Sequence, residues 1–279
     1  MIHTVAIAGV GLIGGSFGLA LKAAGFTGEI IGVSSLRTIA AARERGAIDR
    51  GAPLEAAAAQ ADLVYLAQPI GRILDQIRRL DPLVKPGSLV TDAGSTKHSI
   101  VRQAERSIHR ARFIGGHPMA GKETRGVESA DANLFRGRTY VLTPRVESDV
   151  PGEFRELLES IGARVVIMTP EEHDRVVAFT SHLPQLLSTA LAATVAENVE
   201  ENLEVAGPGL IDSTRLALSA YDLWRDILAT NGEEVTRAIT ALQVKLDHLR
   251  ENLKTRELQK EFEIAAALAT KLRQRPTGA

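Results

Sequence analysis

A glycine fingerprint, Gly9-Val10-Gly11-Leu12-Ile13-Gly14, directly follows the apolar run Thr4 to Ala8 and opens a helical stretch. In that setting each glycine has a mechanical task. The first makes a tight turn, the second lets a pyrophosphate approach the backbone, and the third lets helix and strand pack. The first helical turn, with Leu12 and Ile13, offers free N–H groups and the positive end of the helix dipole to phosphates. The bland alternative is an ordinary strand–helix turn. The next apolar run, Ile30 to Val33, ends in Ser34-Ser35 with Arg37 close behind and no acid. An acid there would bond the ribose hydroxyls of NAD, whereas small hydroxyls and a guanidinium suit a 2′-phosphate. NADP is therefore the leading cofactor, and NAD is the alternative in which Arg37 is merely a surface arginine.

Further along, Gln68-Pro69 and Asp92-Ala93-Gly94-Ser95-Thr96-Lys97 each follow an apolar run, where loops at the carboxyl ends of parallel strands line a ligand crevice. Ser95 is a candidate hydroxyl for substrate or nicotinamide, or else the N-cap of a helix starting near Lys97. Gly115-Gly116-His117-Pro118-Met119-Ala120-Gly121 reads as a close-packed loop that turns a single histidine toward the same crevice. His182, in Ser181-His182-Leu183-Pro184, has a similarly unusual setting, while His173, in Pro170-Glu171-Glu172-His173, reads as a residue of a helix-capping region. No histidine pair has metal-ligand spacing, so no metal is expected. Arg215 follows the Gly207-Pro208-Gly209 break and either forks onto a substrate carboxylate or pairs with an acid such as Asp212.

The elements that must position these residues alternate strand and helix as far as Ile167, which predicts a doubly wound α/β sheet. Tyr140 to Leu142 and Arg164 to Ile167 are candidate extensions of it. From Glu171 onward almost nothing reads as strand, so the expected division is 1–168 and 169–279. Glu233 to about Arg273 is one long helix or two, and a helix of that length needs a packing partner, which points to dimerisation. The charge balance of 33 Lys+Arg against 34 Asp+Glu gives no footprint for nucleic acid or a membrane surface. The absence of cysteine excludes disulfides, thiolate metal sites and a cysteine nucleophile, and it fits a reducing cytoplasm. With no leader and no run of about 18 apolar residues, a soluble cytoplasmic protein is expected.

Taken in order, Gly9 to Gly14, Asp92 to Ser95, Gly115 to Gly121, Asn133-Leu134-Phe135, Val141 to Pro144, Ser181 to Pro184 and Asp212 to Arg215 resemble the prephenate/arogenate dehydrogenase family of tyrosine biosynthesis. The resemblance covers nearly the whole chain. It implies a Rossmann-type N-terminal domain, an all-helical C-terminal dimerisation domain and a homodimer. It also implies an oxidative decarboxylation: prephenate gives 4-hydroxyphenylpyruvate, or arogenate gives tyrosine. By the same resemblance His117 bonds the substrate hydroxyl as base, a task that suits an ordinary histidine pKa of about 6.5. Ser95 orients it, and Arg215 and His182 hold the substrate. Lys122-Glu123 departs from the threonine many relatives carry first at this point, and Ile211 stands where several have a basic residue. Lys122 is a candidate to supply that missing charge, and Glu123 a candidate acceptor for the arogenate ammonium. Prephenate is favoured slightly. A β-hydroxyacid dehydrogenase would need a lysine on the interdomain helix, but none occurs between Lys122 and Lys245. A non-catalytic dinucleotide-binding module would leave His117, His182 and Arg215 unexplained together.

Overall fold

The four residues after Thr4 in the first strand are all buried, on one face or the other, which explains their unbroken apolar run. In the computed structural model, which describes residues 1–274, β1 (Thr4–Ala8) sends Val5 and Ile7 into one core and Ala6 and Ala8 into a second. The strand β4 (Leu63–Leu66) repeats this, with Leu63 and Tyr65 on one side and Val64 and Leu66 on the other. Two-sided burial is the signature of a parallel sheet covered by helices on both faces.

The other strands are β2 (Glu29–Val33), β3 (Arg50–Gly51), β5 (Leu89–Asp92), β6 (Arg112–Pro118), β7 (Thr139–Thr143) and β8 (Arg164–Ile167). They lie in the order β3-β2-β1-β4-β5-β6-β7-β8, with all neighbours parallel except β6 and β7. The reversal of winding between β1 and β4 is the switch point at which such sheets bind ligands. The helices covering this sheet are α1 (Leu12–Ala23), α2 (Leu36–Glu44), α3 (Leu54–Gln60), α4 (Ile70–Leu80), α5 (His98–Ser107) and α6 (Gly152–Ser160). On α4 the buried residues Ile70, Ile73, Ile77 and Leu80 recur at helical spacing, which fixes its inner face.

After β8 come α7 (Pro170–Val177), a π turn over Ala178–His182, α8 (Leu183–Val199), α9 (Pro208–Thr214), α10 (Tyr221–Thr230), α11 (Gly232–Glu251) and α12 (Leu258–Arg273). The stretch after Glu233 is thus two helices. The run Pro170–Val199 is long and apolar enough to cross a bilayer, yet its buried positions include His173, Asp174, His182, Gln185 and Ser188. The core helix of a non-membrane protein passes the same length test.

The chain divides into two compact units, Met1–Asp174 with Ala220–Thr230, and Arg175–Ser219 with Asn231 onward. Segment 220–230 belongs with the sheet because Asp226 accepts the Gly71 N–H at the start of α4 at 3.0 Å, while Ile227 and Trp224 enter the second core.

Candidate active site

The fingerprint glycines do what their spacing predicts. Gly9 has φ +94°, and a Cβ there would lie 2.4 Å from the Ala67 carbonyl oxygen. A Cβ on Gly14 would lie 2.0 Å from the Gly9 carbonyl oxygen, so only glycine lets α1 sit this close. The space at Gly11, by contrast, is open, with no heavy atom within 4 Å of where its Cβ would be. Beside Gly9, just past the end of β4, Gln68 keeps a buried side-chain oxygen without a hydrogen-bond partner. An open backbone approach at a helix N-terminus and a waiting buried acceptor fit a bound dinucleotide.

The cofactor candidates at the end of β2 take clear local roles. Ser35 caps α2, accepting the Thr38 N–H at 3.3 Å and sharing a hydroxyl contact of 2.9 Å with Thr38. Ser34 and Arg37 are exposed on either side of it. Pro69 sits at the N-cap of α4.

His117 is not on a loop. Strand β6 continues through Gly115, Gly116 and His117 to Pro118 and pairs antiparallel with β7, His117 opposite Val141. The glycines mark close backbone approach instead of a turn. A Cβ on Gly115 would lie 2.3 Å from Thr143 Oγ1, and one on Gly116 2.5 Å from the Asp92 carbonyl oxygen. His117 therefore stands at the carboxyl end of a sheet strand, nearly buried at 8% exposure.

Two buried polar clusters hold it there. In the first, Lys97 reaches back to the Asp92 carboxylate and donates to the Gly116 carbonyl at 2.7 Å, both ionic side chains being fully buried. Asp92 also accepts the Gly94 N–H at 2.7 Å and the Gly116 N–H at 3.1 Å. Burial pushes Asp92 up and Lys97 down, and the charge of each opposes the shift of the other. The cluster fixes the backbone on the amino side of His117. In the second, His117 Nδ1 lies 2.8 Å from His173 Nε2, and His173 Nδ1 lies 2.7 Å from Asp174 Oδ1. Asp174 accepts the N–H groups of Lys97 and His98 at 2.7 and 2.9 Å, so it caps α5. Burial holds the His173 imidazole below the usual histidine range, and the Asp174 hydrogen bond opposes that shift.

These contacts revise two readings. Ser95 does not cap α5, because a carboxylate from position 174 takes that role, and Ser95 is left partly buried in the turn after β5. His173 does lie in the first turn of α7, but it is more than a capping-region residue, being wholly buried against His117. Lys97, Asp92, His173 and Asp174 were missed as site residues. The one local signal for them was an acid closing a buried strand with a lysine five residues on.

Lys122 pairs with Asp131 at 2.9 Å and contacts the Ser129 carbonyl at 3.3 Å, and Glu123 is exposed on the same loop. In the second unit, His182 closes the π turn and is buried, with Asn231 Nδ2 3.2 Å from its Nδ1. With the amide donating to Nδ1, Nε2 carries the proton and can donate. π turns recur at functional positions because one extra residue re-aims a side chain. Arg215 opens a 3-10 turn over Arg215–Leu218 and is exposed. Among the described residues no cluster of three potential metal ligands occurs.

Comparison with known proteins gives a family model described as prephenate dehydrogenase, nucleotide-binding domain, matching residues 17–175. A second, described as prephenate dehydrogenase, dimerization domain, matches residues 169–269. The chain is 36% identical over 261 residues to a prephenate dehydrogenase of Lactococcus lactis, which spans 91% of this chain and 72% of that one. It is similar to the crystal structure of prephenate dehydrogenase from Aquifex aeolicus in complex with hydroxyphenyl propionate and NAD+, with TM-score 0.87, 33% identity and 98% coverage of each chain. Synechocystis arogenate dehydrogenase superposes with TM-score 0.83 at 30% identity, covering 96% of this chain and 99% of that one.

Proposed function

The chain belongs to the prephenate dehydrogenase family, and from that premise we propose how its residues divide the work of converting prephenate to 4-hydroxyphenylpyruvate and carbon dioxide. The enzyme is an NAD-binding oxidoreductase. The bound nicotinamide supplies a hydride acceptor for the ring carbon that carries the substrate hydroxyl. His117 takes the hydroxyl proton as that hydride leaves. It returns the proton to the same oxygen when the electron pair of the breaking carbon–carboxylate bond enters the ring. Aromatisation drives the reaction, so the protein mainly positions and transfers one proton. Ser95 orients the hydroxyl, and Arg215 and His182 hold the carboxylates. Gly9, Gly11, Leu12, Ile13, Gly14, Gln68 and Pro69 hold the dinucleotide. The observation that carries this reading is His117 at the end of β6, three strands along the sheet from the glycine turn and clamped by two buried polar clusters.

Prephenate is the proposed substrate, and arogenate is the second reading. Lys122 favours the keto acid less than its charge suggests, since it already pairs with Asp131. NADP is the proposed cofactor over NAD, because β2 ends without an acid and the Arg37 side chain is exposed beside Ser34. The dinucleotide part is assigned to residues 1–168 and the substrate and dimerisation part to the helices that follow, although Thr169–Asp174 and Ala220–Thr230 pack with the sheet unit. A homodimer through the later helices is supported by α12, a 16-residue helix with no buried residue in the single chain. Such a helix is not stable in water unaided. A cytoplasmic location belongs to the same reading.

The test is absorbance at 340 nm with NAD or NADP against prephenate or arogenate. Turnover with prephenate is expected to exceed that with arogenate. The kcat/KM for NADP is expected to exceed that for NAD by at least about tenfold, or 1.4 kcal/mol. Arg37→Ala is expected to erase most of that cofactor ratio while leaving kcat unchanged. A wild-type ratio favouring NAD would overturn the cofactor assignment.

A further inference from the structure

We infer that His173 and Asp174 are positioning residues which fix His117 as the tautomer protonated at Nδ1, so that Nε2 is the atom that takes the substrate proton. The inference rests on the functional reading above and goes beyond it to a chain of three side chains. It starts from Asp174, whose two oxygens receive backbone N–H groups from Lys97 and His98 at 2.7 and 2.9 Å. With an N–H donor on each oxygen, this carboxylate serves as an acceptor. His173 Nδ1, at 2.7 Å from Asp174 Oδ1, must therefore carry its proton. A neutral His173 then presents a lone pair at Nε2. His117 Nδ1, at 2.8 Å from that atom, must be the donor. The lone pair of His117 is left on Nε2.

The same chain separates this role from plain proton storage. The groups facing His173 are His117 from β6, Asp174 on its own helix, Asp92 from the end of β5 and Lys97 from the β5–α5 connection. Burial and the Lys97 ammonium both disfavour a second cation there, so His173 stays neutral when His117 is protonated. The positive charge remains on His117, one ring away from the Asp174 carboxylate. This is the arrangement in which a buried acid orients a base through its far nitrogen, lengthened by one imidazole.

Two measurements on the full-length enzyme test it. Nitrogen-15 NMR of histidine-labelled protein, with His117 assigned by loss of its signal in His117→Asn, is expected to show the Nδ1–H tautomer for His117. The opposite tautomer overturns the inference, and this readout does not depend on turnover. In kinetics, His173→Leu is expected to lower kcat by about 10²-fold or more with KM within about threefold. It is also expected to move the acid limb of the kcat/KM profile to lower pH, because the base loses its anionic support. His173→Gln, whose amide can accept from His117 and donate to Asp174, is expected to recover most of both. A folded His173→Leu enzyme with near wild-type kcat and an unmoved acid limb overturns the inference. If His173→Leu does not fold, the wild-type tautomer and the Gln variant decide. Absence of wild-type turnover with prephenate would instead sink the functional reading, and the tautomer measurement would still decide this one.

Discussion

Replacing His117 by asparagine is expected to lower kcat by about 10²–10⁴-fold, the usual worth of a positioned general base. Asparagine keeps a hydrogen-bonding group of similar reach but cannot take a proton in the neutral range. Substrate and dinucleotide should still bind, because the glycine turn at Gly9 to Gly14 and the open approach at Gly11 are untouched. The expected signature is therefore a fall in kcat and kcat/KM together with KM changed by no more than about threefold, meaning that an interaction made in the transition state has gone. Steady-state rates at 340 nm with a fluorescence titration of the dinucleotide separate the two. A fall smaller than tenfold would show that His117 is not the base and would shift attention to Ser95.

The strands that carry this site were legible because a sheet covered on both faces demands uninterrupted apolar runs, as Thr4–Ala8 and Leu63–Leu66 show. The fingerprint was legible because Gly9 and Gly14 each meet a local steric demand and Gly11 between them leaves an open backbone approach, all within one turn. Gly115 and Gly116 were misread for a related reason. Glycine signals either a turn or a close approach, and the groups approached here, Thr143 and the Asp92 carbonyl, lie on other strands. His173 illustrates a harder limit. Its partner His117 is 56 positions away, and Asp174 caps a helix 77 and 76 positions earlier. No local pattern encodes such contacts, so a histidine in the first turn of a helix reads as a residue of a capping region. The π turn at Ala178–His182 is equally silent in sequence, since its residue types suit an ordinary helix. The site was thus readable where chemistry depends on local spacing, and unreadable where it depends on what the sheet brings together.

Lys97→Met is expected to be the most destabilising of these changes, costing about 3–5 kcal/mol, because it leaves the Asp92 carboxylate buried without its counter-charge. Methionine is unbranched and only one heavy atom shorter than lysine, so the cost comes mainly from the lost charge and little from a cavity. The Gly94 and Gly116 N–H groups still bond Asp92 and hold the loss within that range. The freed Gly116 carbonyl, which loses a donor at 2.7 Å, adds to it. The double variant Asp92→Asn with Lys97→Met removes the unpaired charge and is expected to recover at least half of the loss. That recovery would separate an electrostatic cause from a packing one. Trp224 is the chain's one tryptophan and packs on the second core of the sheet unit, so its fluorescence follows the right transition in urea. If Lys97→Met costs less than about 1 kcal/mol, the buried pair is not what holds Gly116. The backbone on the amino side of His117 would then owe its position to the β6–β7 pairing alone.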